Sequence, residues 1–192
     1  ECLVGSEMCI RDSDQGGPNS YPGDYFNGDA PQKYKIKGSF GHPVPVVDGR
    51  TQSSGGKAKG VVLQKEFTNE KDVFSIDYTS AYSTPNLDKL IRTFVYDRQG
   101  KGNFTVGDEF TAKTPIRFET AITTRADWKV LDDTHLLLAT DSEQMIVAID
   151  ASGKVAFTSE TIEVNSPAYT RIGIALKNQS KEGYIRLKMY TK

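Results

Sequence analysis

The chain has 192 residues, a formal net charge of −1, 26% charged residues and 10% aromatic residues. A balance so close to neutral argues against a nucleic-acid partner, and no run of about 20 apolar residues offers a membrane span. The length suits one domain with a sizeable core.

In chain order, the first segment stands apart. Cys2-Leu3-Val4-Gly5-Ser6-Glu7-Met8-Cys9-Ile10-Arg11-Asp12-Ser13 resembles the translation of a transposon-based sequencing adapter, Met8 to Asp12 matching the codons ATG-TGT-ATA-AGA-GAC. Residues 1–13 are therefore read as non-native and set aside, and the natural N-terminus is expected to lie upstream of a truncated gene. They hold both cysteines and carry Glu1, Glu7, Asp12 and Arg11, a net of −2, so residues 14–192 are near +1 and free of cysteine. Disulfides, thiolate metal sites and cysteine nucleophiles are excluded together. An acidic polysaccharide stays open as a partner, because a local groove of Arg and Lys suffices to hold one.

Asp14 to Ala30 is rich in Gly, Pro, Asn and Asp and reads as loop. Period-two segments then succeed one another. Val44, Val46 and Val47 form a short strand bounded by Pro43 and Pro45, and Val61–Phe67 is the next apolar run. Phe74, Ile76 and Tyr78 alternate with polar neighbours, as do Leu90, Phe94 and Tyr96 around Arg92. Thr84 to Leu90 is a turn leading into that strand. Further along, Ile116, Phe118, Ile122, Val147, Ile149, Ile172, Ile174, Ile185 and Leu187 are expected to face inward. Asp150-Ala151-Ser152-Gly153 is expected to close a hairpin, Arg98–Gly102 separates two strands, and Asn178–Gly183 separates the last pair. Many short strands with regular turns predict an all-β, antiparallel two-sheet sandwich. An immunoglobulin-like domain is disfavoured, because its Cys-Trp-Cys hallmark is missing.

Few residues invite chemistry. His135 follows Asp132-Asp133-Thr134, which is turn chemistry before a Leu-rich strand. The pairs Asp108-Glu109, Asp132-Asp133 and Glu66 with Glu70 read as solvated turns, without the apolar isolation that tunes a carboxyl as an acid. Asp77 and Asp97 are expected to form structural ion pairs with Arg92 or Arg98. The aromatic cluster Tyr78, Tyr82, Phe94 and Tyr96 could stack on sugar rings, with core packing favoured for Phe94 and Tyr82 left open. Ser53-Ser54-Gly55-Gly56-Lys57 lacks P-loop spacing and reads as a flexible loop.

Two longer words carry more. Gly41-His42-Pro43-Val44-Pro45-Val46-Val47-Asp48-Gly49-Arg50, with Gln52, precedes Asp77-Tyr78-Thr79-Ser80-Ala81-Tyr82 and Arg92-Thr93-Phe94-Val95-Tyr96-Asp97-Arg98. Asp127-Trp128-Lys129-Val130 and Thr170-Arg171-Ile172-Gly173-Ile174 follow in order. The ordered set resembles the C-terminal β-sandwich of heparinase II/III-like polysaccharide lyases, over residues 14–192. The resemblance implies a periplasmic or extracellular parent enzyme acting on an acidic polysaccharide such as a glycosaminoglycan. Its catalytic groups would lie on an upstream α/α toroid, so no catalytic residue is carried over to this chain and the fragment alone is expected to be inactive. The same resemblance implies a structural zinc ion held by His42, by Asp14 and by an upstream histidine; Pro43 stands where the family often has Asn. The alternative is a non-catalytic carbohydrate-binding or structural module, because a shared scaffold does not fix function.

Overall fold

The computed structural model describes residues 20–163 and 168–192. Among the described residues, twelve strands succeed a short helical turn, Ala30–Lys33. They are β1 (Val46–Val47), β2 (Val61–Phe67), β3 (Lys71–Asp77), β4 (Leu87–Asp97), β5 (Asn103–Ile116) and β6 (Phe118–Thr124). After them come β7 (Asp127–Asp132), β8 (His135–Ala139), β9 (Gln144–Ala151), β10 (Val155–Ile162), β11 (Tyr169–Leu176) and β12 (Ser180–Thr191). A four-stranded sheet in the order β1-β6-β11-β10 packs on an eight-stranded sheet in the order β2-β3-β4-β5-β12-β9-β8-β7. All the pairings are antiparallel, as the alternation predicted.

The core lies between the sheets. Ile116, Phe118, Ile122, Val147, Ile149, Ile172, Ile174, Ile185 and Leu187 are all buried in it. Register explains why they meet. Ile172 pairs with Ile122 across β11 and β6, and Leu187 pairs with Ile149 across β12 and β9. Side chains directly opposite share a face, so each pair adds a contiguous apolar patch.

The corners depart from expectation. Asp150 to Gly153 closes no hairpin, because β9 belongs to the large sheet while β10 belongs to the small one. The turn residues bend the chain from one layer to the other. The same holds at Asn178–Gly183, where β11 and β12 lie in different sheets and Gly183 already sits inside β12. Local turn chemistry records that a chain reverses, and which sheet receives the next strand depends on the layer its apolar face can bury. Arg98–Gly102, by contrast, is a true hairpin loop between the neighbouring strands β4 and β5.

A third sheet change shows how a corner is pinned. Ile116 and Phe118 are both buried yet belong to different sheets, so the chain turns at Arg117. Asp48 holds it there: its carboxylate accepts from Arg117 N at 2.8 Å and its own N–H donates to Arg117 O at 2.9 Å. Asp48 reaches this position from a two-residue turn, with φ of 50° at Asp48 and 74° at Gly49. Asp-Gly supplies the left-handed pair that such a tight turn requires.

Candidate functional site

The two sequence words with family character meet in space. Gly41 ends a 3-10 turn, Ser39–Gly41, and His42 to Pro45 then leads into β1. This strap carries two prolines and cannot join a sheet ladder fully. Side chains of the second word satisfy its carbonyls instead. Tyr82 Oη donates to Pro45 O at 2.8 Å, and Arg92 Nη1 donates to Pro43 O at 2.6 Å.

Arg92 stands at the centre of a buried polar cluster. Its Nε and Nη2 donate to the two oxygens of Asp108, each at 2.7 Å, a bidentate pair. Asp108, 1% exposed, also accepts from Tyr78 Oη at 2.8 Å and from Thr120 Oγ1 at 2.7 Å. Burial opposes the charge on Arg92, but the Asp108 carboxylate outweighs it and raises the guanidinium's pKa above its usual value. Burial likewise raises the Tyr78 phenol, with the Asp108 charge adding to it. The four side chains come from the start of a 3-10 turn, β4, β5 and β6, so the cluster ties both sheets to the strap.

The ion pairs expected at Asp77 and Asp97 do not form. Asp77 Oδ1 accepts from Thr79 N and Thr79 Oγ1, and Asp97 Oδ1 accepts from Gln99 N, so both carboxylates cap turns. Arg92 takes Asp108, and Arg98 takes Asp72 at 2.5 Å. The solvated-turn reading of Asp108 fails for the same reason: in β5 it shares the inward parity of Val106 and Phe110. That alternation was available in the sequence and marks an acid facing a core. Thr120 carried no such signal, since a threonine suits either face of a strand.

The remaining candidates take structural places. Tyr78 and Tyr82 are buried and pack edge to face, with ring centroids 5.9 Å apart, so Tyr82 joins the core. Phe94 is half-buried and stacks between Phe74 and Phe104 at 6.5 and 6.2 Å. His135 Nδ1 lies 3.0 Å from Asp132. The carboxyl of Asp132 is held at about 2 by hydrogen bonds from Thr134 N, His135 and the Thr134 hydroxyl, which is turn chemistry. His42 is half-buried, with Nε2 3.1 Å from Ile36 O. Asp14 and residues 1–13 lie outside the described residues. Among the described residues, no group of three or more His, Cys, Asp or Glu side chains could hold a metal ion, and no helix is long and apolar enough to cross a membrane.

No protein-family model matches the sequence, and no curated protein matches it. Solved structures do match. A crystal structure of heparinase III superposes with a TM-score of 0.65 at 18% identity, over 86% of this chain and 26% of that one. The heparan sulfate lyase HepC from Pedobacter heparinus gives 0.66 at 14% identity, over 92% of this chain and 28% of that one. The sandwich has the fold of a segment of heparinase III. The chain thus spans about a quarter of the length of the heparinase III structures it matches. Identities this low establish the fold alone.

Proposed function

We propose that the chain is the sandwich part of a polysaccharide lyase that cleaves uronic-acid-containing glycans by β-elimination. The observation that carries this reading is the likeness to heparinase III and to a heparan sulfate lyase, over most of this chain and a quarter of theirs. In such a reaction a base removes the C5 proton of a uronic acid, and the electron pair forms the C4–C5 double bond. The C4–O bond breaks, and an acid protonates the departing oxygen. Donors or cations around the carboxylate stabilise the enolate-like intermediate. The base, the acid and those donors belong to an upstream toroid, and the sandwich is the rigid frame beside it. The parent works in the periplasm or outside the cell, where such glycans are met.

The test is the ultraviolet absorbance of the conjugated double bond in the product. The chain alone is expected to release no unsaturated uronate from heparan sulfate, chondroitin sulfate, hyaluronan or alginate, whereas the untruncated protein turns over at least one. Product from the chain alone would overturn the division of labour. An untruncated protein inactive on all of them would overturn the lyase reading.

In the same reading His42 helps to hold a structural zinc ion. Its Nε2 faces the Ile36 carbonyl, the kind of backbone partner that would orient a metal-ligating imidazole. Zinc takes at least three protein ligands in a closed site, so Asp14 and an upstream histidine are needed beside it. In the untruncated protein, His42→Ala is expected to lower Tm more in the presence of zinc than after chelation. Equal losses would remove His42 from the ligand set.

A further inference from the structure

Three of the corners at which the chain changes sheet lie side by side at one end of the sandwich. They are the turn at Arg117 between β5 and β6, Ser152–Lys154 between β9 and β10, and residues 177–179 between β11 and β12. Pairing holds them together. Ile116 is the register partner of Ser180, Lys177 N donates to Lys154 O at 2.8 Å, and Ser152 N donates to Tyr184 O at 3.0 Å.

Each of these corners presents exposed cations: Arg117, Lys154, and Lys177 with Lys181. Two more border them. Arg50 leaves the Asp48-Gly49 turn that grips Arg117, and Lys113 lies near the end of β5, 3.9 Å from Asp88. Among the described residues, Arg117, Lys154, Lys177 and Lys181 form no ion pair. The carboxylates around the corners are Asp48, bound to the Arg117 N–H, Asp88 and Glu182, while Asp150 is engaged by Arg186 at 3.3 Å. Six cations thus stand against three carboxylates, in a chain whose net charge is −1. Gathering like charges on adjoining turns adds repulsion to the folded state, and an anionic partner relieves it.

The residues between the cations narrow the class of polyanion. Ser152, Asn178, Gln179 and Ser180 supply hydroxyls and amides, groups that hydrogen-bond sugar hydroxyls. No aromatic side chain occurs in Lys113–Arg117, Ala151–Lys154 or Lys177–Lys181. The corners therefore lack the stacking platform on which single-stranded nucleic acid is held.

We propose that these corners form a binding surface for a sulfated polysaccharide, gripped through anionic groups on several successive sugars. The class of polyanion rests on the glycan reading above, and the place rests on the charge arrangement. Exposed lysines pair weakly one at a time, so affinity comes from several contacts at once and falls as salt screens them.

The experiment is a calorimetric titration of the full chain with heparan sulfate fragments of defined length. Binding is expected at low salt and is lost at about 1 M salt, where screening leaves a Debye length of about 3 Å. Replacing Arg117, Lys154, Lys177 and Lys181 together by Gln should weaken it roughly tenfold or more. Replacing Lys71, Lys101, Lys129 and Lys192 by Gln removes the same charge from other exposed positions. That control should weaken binding less than about threefold, because those charges lie beyond a Debye length from the glycan. No binding by the chain, equal losses in the two variants, or tighter binding of single-stranded DNA of matched length would each overturn the surface. The lyase reading is decided separately, by product from the untruncated protein. Binding lost with the corner cations in a protein that releases no unsaturated uronate keeps the surface and removes the lyase. Turnover with binding unchanged in the corner variant does the reverse.

Discussion

Asp108→Asn is expected to cost roughly 3–5 kcal/mol, the usual penalty for leaving one member of a buried ion pair without its partner. The amide keeps the volume but removes the charge that compensates Arg92, and it turns an NH2 group toward donors. Three donor side chains lose an ionised acceptor at once: Arg92, Tyr78 and Thr120 all donate to Asp108. Domains of this kind are held by about 5–15 kcal/mol in total, so the loss is a large share. For a chain of this size Tm should fall by about 10 °C. A paired replacement, Arg92→Met with Asp108→Leu, should recover part of the loss, because it leaves no unpaired charge at the site, while Tyr78, Thr120 and the Pro43 carbonyl still lose their bonds to the pair. Denaturant melts of the two variants and the wild type check this. An Asp108→Asn protein within about 1 kcal/mol of wild type would mean that the cluster contributes little.

Gly41→Ala is the second large effect, and it acts through shape. A Cβ there would fall 2.9 Å from Ile36 Cα and from Lys35 C, and it would clash with the Lys35 carbonyl oxygen. These are backbone atoms, which cannot swing aside as a side chain would. The 3-10 turn and the Lys35–Ile36 segment must separate, stretching the hydrogen bond from Gly41 N to Lys35 O at 3.0 Å. The bond from Tyr169 Oη to Gly41 O, now 2.8 Å, moves with it, and so does the approach of His42 to Ile36 O. Overpacking of this kind costs about 1–3 kcal/mol. The denaturant midpoint should fall without a change of slope. A midpoint equal to that of wild type would show that the two segments do not approach so closely.

Both variants probe the strap that the second sequence word clamps. The strap has few backbone ladder bonds of its own. Its position depends on Tyr82 and Arg92 on one side and on Tyr169 on the other. Tyr169 belongs to a small satellite core with Tyr25, Ile36 and Ile162, which seats the segment leading into Gly41. His42 thus lies between two fixed points.

Strand identity was legible in the sequence wherever one face meets the core. Ile116, Phe118, Ile122, Ile172 and Ile174 alternate with polar residues, and period two follows from the pleat of a half-buried strand. The Asp48-Gly49 turn went unread, although few other pairs accept two left-handed residues in succession. The ordered words from His42 to Ile174 pointed to the sandwich that the superposition on heparinase III bears out. Strand partnership was not legible. Nothing local in Asp150–Gly153 or Asn178–Gly183 distinguishes a hairpin from a crossing between layers, since both need the same reversal. The choice of partner for each arginine was also beyond the sequence. Arg92 has Asp97 five residues away, yet it pairs with Asp108, sixteen residues away, because register places them opposite each other across β4 and β5. Composition and periodicity determined which residues turn inward. Only the tertiary structure decided which charges meet there, because a buried charge takes the partner that geometry places within reach.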